Sequence, residues 1–171
     1  AKDFSDDDSI TYQEAVDVIS EIGVVDGYTG GDFKPTDVLT RGAAAKIICN
    51  LILGPTTASA LSASSAPFKD VPVSNTFAGY ITYCAQEKII NGYPDGTFRP
   101  DQPITRAEAM TIINRMLGRG VSKGYVRKGA ARFTDNDPGS WYYYEILEAT
   151  NDHEYRNARP FEQWIRATTL R

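Results

Sequence analysis

Apolar side chains recur along the chain at the three- and four-residue spacing that places them on one side of a helix. One such set is Phe77, Ile81, Cys84 and Ala85, and a later set is Ala109, Ile112, Ile113 and Met116. The stretch NGYPDGTFRP between them contains proline, aspartate and glycine in succession, which together favour a tight turn. The pattern therefore predicts a helix, a projecting turn and a second helix.

The second helix is predicted to begin at Thr105. Its hydroxyl can accept a hydrogen bond from an amide of the first turn, and Glu108 completes a capping box. Arg106 follows directly, where a positive charge opposes the helix dipole at a cost of about 0.3–1 kcal/mol. Because a helix start favours anions and a guanidinium can hold a carboxylate bidentately, this placement indicates an anionic ligand. The alternative is a structural salt bridge to an aspartate such as Asp70 or Asp6.

The same pattern occurs a second time, 65 positions earlier. The stretches VVDGYTGGDFKPTDVLTRGAAAKII and IINGYPDGTFRPDQPITRAEAMTII align without a gap, and this offset pairs Arg41 with Arg106. It also pairs Gly27 with Gly92 at the start of the turn. The first explanation for glycine at these positions is the backbone conformation that the turn requires. A helix pair of this size cannot bury both of its apolar faces, so the copies are expected to pack on one another.

A third copy begins but does not finish. Each copy opens with Phe-x-Asp, whose aspartates are Asp6, Asp70 and Asp135. The third continues through Trp141 and EILEAT, then lacks both the Gly-Tyr turn and the Thr-Arg pair. We interpret it as degenerate, and we interpret His153, the single histidine in this polar stretch, as a solvated loop residue.

These starts divide the chain into repeats and connectors. The segments are repeat one (1–54), a Ser/Thr/Ala-rich linker (55–67), repeat two (68–118), a basic linker (119–132) and the degenerate repeat three (133–171). A solvated loop is favoured for the basic linker over a role in attracting an anionic ligand. We expect one folded unit of the all-α, mainly helical class, with short extended or turn segments projecting from a shared core.

Composition and charge limit the partners. The net charge of −4 does not recommend nucleic acid, and no apolar run is long enough for membrane insertion. The opening AKDFSDDD lacks an apolar signal region, so a signal peptide is absent or already removed. Cys49 and Cys84 do not have metal-binding spacing and are favoured as two buried thiols, although a disulfide stays open for a secreted protein.

Catalysis, metals and cofactors have little support in the sequence. No nucleophile–histidine arrangement repeats along the chain, and the sequence does not locate a pair of carboxylates for acid–base chemistry. The run Asp6-Asp7-Asp8 resembles a fragment of a calcium loop, but the complete twelve-residue pattern with its final glutamate is missing. We therefore expect a protein that is not an enzyme and that has no cofactor.

The motifs FKDVP, NGYPDGTFRP and ITRAEAMTIINR resemble the S-layer homology (SLH) motif, and repeat one is similar through FSD, VDGYTGGDFKP and LTRGAAAKII. The resemblance implies a pseudo-threefold bundle of three tandem repeats, and an extracellular position at the cell wall or S-layer of a bacterium. It also implies binding to a secondary cell wall polysaccharide, often carrying pyruvylated N-acetylmannosamine, in grooves between neighbouring repeats.

The resemblance assigns ligand contact to the TRAE arginine, the opening aspartate, the glycine of the turn and an aromatic residue of the first helix. The matching residues are Arg106, Asp70, Gly92 and Phe77 in repeat two, Arg41, Asp6, Gly27 and Tyr12 in repeat one, and Asp135 and Trp141 in repeat three. The family usually has tryptophan where repeats one and two have tyrosine and phenylalanine. Repeat one also reads TRGA instead of TRAE, so the grooves are not expected to be equivalent.

Several of these assignments have structural alternatives. The aspartates can hydrogen-bond sugar hydroxyls or cap the following turn, and Trp141 can stack on a sugar ring or fill the core. The predicted function is non-covalent anchoring of a surface protein to the cell wall. The alternative is a protein–protein assembly module that holds a neighbouring surface-layer protein, whereas a polysaccharide-processing enzyme would need the missing acid–base pair.

Overall fold

The computed structural model describes residues 3–120, 124, 126, 130, 132–156 and 163–168. Helices dominate this part of the chain. After a short 3-10 turn (Asp7–Ser9), the elements are α1 (Gln13–Glu21), α2 (Arg41–Leu53), α3 (Pro55–Ser59), α4 (Ala78–Gln86), α5 (Arg106–Met116), α6 (Tyr143–Thr150), β1 (Asp152–Arg156) and β2 (Gln163–Thr168). None of the described helices is both long and apolar enough to cross a membrane.

The second helix of each full repeat begins as the sequence predicts. Thr105 caps α5 by accepting from the Glu108 amide at 3.2 Å, and the Glu108 carboxylate accepts from the Thr105 amide at 2.9 Å. This reciprocal pair confirms the capping box. Thr40 caps α2 by accepting from the Ala43 amide at 3.3 Å, without a glutamate to complete the box.

The packing of the helices is out of phase with the sequence repeat. α2 packs against α4, and α5 packs against α6, so each second helix contacts the first helix of the following repeat. The chain accordingly divides into two compact units, Ala1–Ile104 and Thr105–Arg171. The boundary separates the turn of repeat two from α5. The pseudo-threefold bundle stays a prediction.

The core of the first unit lies between α2 and α4 and beneath the turns. Its most deeply buried apolar residues are Ala45, Cys49, Ala58, Val71, Ile81, Cys84 and Phe98. The linker after α2 belongs to this core, because α3 packs on α2 and the Leu61 backbone lies where a side chain at Gly79 would be. Residues 55–67 therefore form a packed connection.

The apolar stripe predicted for α5 is partly wrong. Ile112 is buried, but Ile113 is 46% exposed, and the buried neighbours are the polar Thr111 and Asn114. The Asn114 amide donates to the carbonyl oxygen of Glu145 at 3.0 Å and to its carboxylate at 2.9 Å. The α5–α6 contact is thus partly polar, which apolar periodicity cannot reveal.

Repeat three ends in a β-hairpin that the sequence analysis did not predict. β1 pairs antiparallel with β2, and the register shifts between Glu154 and Tyr155. Trp164 of β2 is fully buried and packs with Tyr143 and Leu147 of α6. This long-range burial explains why a polar stretch forms strands. Of the predicted basic linker, residues 121–123, 125, 127–129 and 131 lie outside the described residues.

The solvated-loop prediction for His153 is wrong. Its side chain is fully buried in β1 and stacks on Trp164 at 4.1 Å between ring centroids. Nδ1 lies 2.8 Å from the carbonyl oxygen of Asn151, and Nε2 lies 3.3 Å from the Glu148 carboxylate. The hairpin folds over α6 and removes this histidine from water.

Candidate functional site

The opening aspartate of each full repeat clasps the turn of the same repeat. Asp6 accepts hydrogen bonds from the amides of Phe33 and Lys34, both at 2.7 Å. Asp70 accepts from the amides of Phe98 and Arg99 at 2.8 and 2.7 Å. Both oxygens of each carboxylate bind the protein's own backbone. The sequence left two roles open for these aspartates, hydrogen bonding to a sugar or capping the turn. In the structure both of them cap the turn.

Strained backbone makes this clasp possible. Lys34 and Arg99 have φ values of 57° and 60°, in the left-handed region that side chains disfavour. This conformation turns two successive amides toward a single point, forming a concave nest that suits an anion. In both repeats the anion is the aspartate, so these nests are already occupied.

The clasp lowers the pKa of each aspartate. The hydrogen bond from the Phe33 amide is the main cause at Asp6, and it outweighs the opposing effect of desolvation. At Asp70 desolvation is the largest single effect and raises the pKa, but the amides of Phe98 and Arg99 together lower it further. The carboxylates are therefore held in the charged form that the amides need.

The glycine of each turn is required by a phenylalanine ring. A Cβ on Gly27 would lie 2.6 Å from the Phe4 ring, and a Cβ on Gly92 would overlap the Phe68 ring. The same rings pair with the phenylalanine at the far end of the turn, Phe68 with Phe98 at a centroid distance of 5.3 Å. Close packing of the turn explains both glycines.

Arg41 is buried in the turn of repeat two. Its side chain is only 3% exposed, and it donates from Nε to the Phe98 carbonyl at 2.8 Å and from Nη2 to the Asn91 carbonyl at 2.9 Å. Its guanidinium also lies 4.8 Å from the ring centroids of Tyr93 and Phe98. We call these two carbonyls and two rings the arginine seat.

The seat resolves the unfavourable charge at the start of α2. Hydrogen bonds to a charged donor contribute about 1.5–3 kcal/mol each, which exceeds the dipole cost of about 0.3–1 kcal/mol. The first-turn amides are satisfied as well, because the Arg41 amide donates to Gln102 at 3.0 Å and the Gly42 amide donates to Pro100 at 2.8 Å. Both the cation and the amides of this helix start are used inside the protein.

Arg106 is in a different state although it occupies the aligned position. It is exposed at the start of α5, and no described residue hydrogen-bonds, ion-pairs or stacks with its guanidinium. The amides of Arg106 and Ala107 likewise lack an acceptor within the described part of the chain. A seat for Arg106 would come from a Gly-Tyr turn in repeat three, which the sequence does not contain.

The predicted aromatic positions also differ from one another. Tyr12 is 78% and Trp141 64% exposed, whereas Phe77 is half-buried against α2. A Cβ on Gly42 would lie 2.6 Å from the Phe77 ring, so the TRGA sequence of repeat one makes room for it. Trp141 contacts the ring of Tyr142 edge-on at 5.3 Å and does not fill the core.

Asp135 does not form a clasp. It is exposed, and the turn that holds the other two aspartates is missing from repeat three. The neighbouring Asn136 is buried instead and donates to the Tyr143 carbonyl at 3.2 Å. The third copy therefore keeps the aspartate, but this aspartate does not hold a turn.

Sequence reasoning missed two groups of residues. The first is the arginine seat, for which the only available signal was that Tyr93 and Phe98 recur at the repeat offset. The second is a buried cluster in the other unit, where Glu148 accepts from Trp164 Nε1 at 2.9 Å and pairs with Arg119 at 3.1 Å. His153 completes this cluster, and nothing local in the sequence indicates it.

The buried cluster is poorly suited to catalysis. The side chains of Glu148 and His153 have no exposed surface, so a substrate cannot reach either group. A metal centre has no support either, since no group of three histidine, cysteine, aspartate or glutamate side chains within the described residues is placed to hold one. The arrangement stabilises the hairpin on α6.

Replacing Arg41 with lysine tests the arginine seat. Lysine keeps the charge but loses the forked hydrogen bonds and ring contacts, so we expect the free energy of unfolding to fall by about 2–4 kcal/mol. Arg106→Lys is the matched control and should change it by less than about 0.5 kcal/mol. Urea unfolding followed by circular dichroism measures both. Equal effects of the two substitutions would contradict the seat.

The turn of repeat two should lose stability in acid. Hydrogen bonds from the Thr97 hydroxyl and amide, and then from Arg99, lower the pKa of Asp95 from 3.8 to about 2. A lowered folded-state pKa contributes stability above the unfolded-state value, and this is lost as the pH falls toward about 2. Melting temperatures measured over this window should fall less steeply for Asp95→Asn than for the unaltered chain. Parallel slopes would show that Asp95 contributes nothing.

Comparison with known proteins agrees with the repeat structure. Residues 3–45 and 67–110, together about half of the chain, match the S-layer homology domain. Over 91 residues, 53% of this chain and 20% of the relative, it is 46% identical to a cellulosome-anchoring protein of Acetivibrio thermocellus. Over 106 residues, 62% of this chain and 9% of the relative, it is 33% identical to a surface layer protein of Brevibacillus choshinensis.

Another match covers more of the chain. The chain is 30% identical to cell surface glycoprotein 1 of Acetivibrio thermocellus over 150 aligned residues, which cover 82% of this chain and 6% of that relative. The chain thus spans a fifth or less of these relatives. Two matched repeats, their clasped turns and their Thr-capped helices establish that this chain belongs to the S-layer homology domain family of the bacterial cell wall and S-layer surface.

Proposed function

We propose that this chain anchors a bacterial surface protein non-covalently to the cell wall by binding an anionic, pyruvylated secondary cell wall polysaccharide. The observation that carries the proposal is the contrast between the aligned arginines. Arg41 is buried and hydrogen-bonded in its seat, whereas Arg106 is exposed and lacks a partner among the described residues. An unpaired cation beside open amides is a site for a carboxylate.

The site at the start of α5 suits a carboxylate on a sugar. The carboxylate of a pyruvyl ketal can accept from the Arg106 guanidinium bidentately and from the amides of Arg106 and Ala107 at the same helix end. At the aligned positions of α2, carbonyl oxygens of repeat two accept from the equivalent amides. The start of α5 thus offers the same backbone donors that bind carbonyl oxygens at the start of α2.

Exposed aromatic rings supply a second element of polysaccharide recognition. Trp141 and Tyr12 are largely exposed, and a sugar ring that stacks on either would cover apolar surface. Asp6 and Asp70 contribute indirectly by holding the turns, as do Gly27 and Gly92. Asp135 and Phe77 are weaker candidates for contact.

The names of relatives support an anchoring role. One is a cellulosome-anchoring protein, and another, 31% identical over 106 residues, is a middle cell wall protein of Brevibacillus brevis. We extend anchoring at the wall to this chain on that basis. The role that we propose is non-enzymatic, and the buried acid and histidine of repeat three are closed to substrate.

Sedimentation with cell-wall sacculi tests the anchoring site. We expect the purified chain to sediment with sacculi and Arg106→Ala to weaken this binding at least about tenfold, because a charge-assisted bidentate contact is lost. Arg115→Ala is the control, since it removes the same charge from the other end of α5. Arg106→Lys distinguishes the fork of the guanidinium from charge alone.

The polymer itself is tested by removing it chemically from the sacculi. Binding should then disappear, and retention on stripped sacculi would overturn the polysaccharide proposal. Removing only the pyruvyl groups should reproduce the effect of Arg106→Ala. If unaltered chain and folded Arg106→Ala bind equally well, Arg106 is not the contact.

A second candidate function is assembly with a neighbouring surface protein, and the turn of repeat one favours it. Lys34 lies over the Tyr28 ring at 4.5 Å, as Arg99 lies over Tyr93 at 4.0 Å. Arg41 lies over the rings of repeat two that align with Tyr28 and Phe33. Within the described residues, however, no arginine lies over Tyr28 or Phe33 themselves. This open counterpart of the seat fits an exposed arginine at a helix start, such as Arg106 of a second copy.

Sedimentation equilibrium tests this assembly. If Arg106 of one copy enters the turn of another, the chain should self-associate with rising concentration, and Tyr28→Ala and Arg106→Ala should each weaken the association. Val38→Ala is the control, because it alters another exposed residue of the same unit outside the ring pair. A single monomeric species at every concentration would exclude this mode.

A further inference from the structure

The two cysteines of the chain meet between two helices. Cys49 lies on α2 of repeat one and Cys84 on α4 of repeat two, 35 positions later, and their sulfur atoms are 3.7 Å apart. Both are fully buried thiols, as the sequence analysis favoured. Since these 171 residues contain no other cysteine, each has one possible partner within them.

The surroundings of the pair permit a covalent bond. The Cys49 sulfur lies 3.7 Å from the Tyr80 carbonyl, and the Cys84 sulfur lies 3.7 Å from the Ala45 carbonyl, so each thiol contacts the opposite helix. These contacts are weak hydrogen bonds whose loss costs little. To reach the usual bond length the sulfur atoms must approach by about 1.7 Å, so forming the bond requires a change in rotamer or helix spacing.

We propose that Cys49 and Cys84 form a reversible intrachain disulfide on the bacterial surface, which joins the second helix of repeat one to the first helix of repeat two. The family places this chain outside the cytoplasm, where disulfides persist. The bond closes a loop across the contact between α2 and α4. Because α2 begins at Arg41, it also secures the element that carries the buried arginine.

The reaction is thiol–disulfide exchange with a low-molecular-weight disulfide as the oxidant. The thiolate of one cysteine attacks one sulfur of that disulfide and releases the first small thiolate. The other cysteine then loses its proton, attacks the protein sulfur of this mixed disulfide and releases the second. One small disulfide is reduced to two thiols, and the protein dithiol is oxidised to one disulfide.

The two sulfur atoms perturb one another in the folded protein. A hydrogen bond from Cys84 lowers the pKa of the Cys49 thiol, whereas this interaction and burial raise the pKa of Cys84. Opening the contact removes both effects, so either thiol can be the first nucleophile. Since neither sulfur is exposed, exchange proceeds through local opening of the contact between α2 and α4, and it should be slow in the folded protein.

Equilibration of the purified chain with oxidised glutathione tests the proposal. We expect a monomer lighter by two hydrogen atoms, without alkylatable thiols after denaturation. The melting temperature should rise by roughly 5–10 °C, because a cross-link constrains the unfolded chain. Dithiothreitol should reverse both changes. Both thiols remaining free, or only mixed disulfides and dimers forming, would overturn the proposal.

Single substitutions separate the cross-link from packing. Cys49→Ala and Cys84→Ala each remove one partner, so the shift in melting temperature between oxidised and reduced samples should vanish in both. A shift that persists in either variant would contradict an intrachain bond. The mass measurement on the unaltered chain needs no variant, and it decides the question if either variant fails to fold. The measurement is independent of polysaccharide binding, so its failure and that of the anchoring proposal are distinguishable.

Discussion

The insertion of Arg41 into the turn of repeat two is the interaction that organises the first unit. One guanidinium uses two carbonyl oxygens and two aromatic rings, and the first two amides of α2 donate to the carbonyls of Pro100 and Gln102, at and just after the end of the same turn. The start of a helix is thereby fixed to a loop that lies about fifty residues later in the chain. This explains why the packing unit combines α2 with the next repeat.

The parts of the fold that depend on local chemistry could be predicted from the sequence. Thr105 and Glu108 cap α5 through neighbours three residues apart, and the repeat offset located the turns and the helices that flank them. The hairpin of repeat three could not be predicted in this way. Its strands are polar, and they form because Trp164 and His153 are buried against α6, which no local pattern indicates.

The sequence was sufficient to locate the residues of the candidate site but not to show what each of them does. Arg41 and Arg106 occupy aligned positions in the repeats. The difference in their contacts depends on whether the following repeat provides a turn. Asp6 and Asp70 were equally ambiguous, because a carboxylate can bind a sugar hydroxyl or a backbone amide. The distant amides of Phe33 and Phe98 decide the matter, and only the folded chain brings them close.

Within the anchoring proposal, the missing turn of the degenerate third repeat explains why Arg106 is available to a ligand. A complete turn in repeat three would offer carbonyls and rings to Arg106, as repeat two offers them to Arg41, and would satisfy the amides of α5 internally. The same donors cannot serve an external anion while they hold a turn. Under this proposal the missing Gly-Tyr turn leaves the Arg106 guanidinium and the first amides of α5 for the polysaccharide, while the hairpin packs on α6 by burying Trp164.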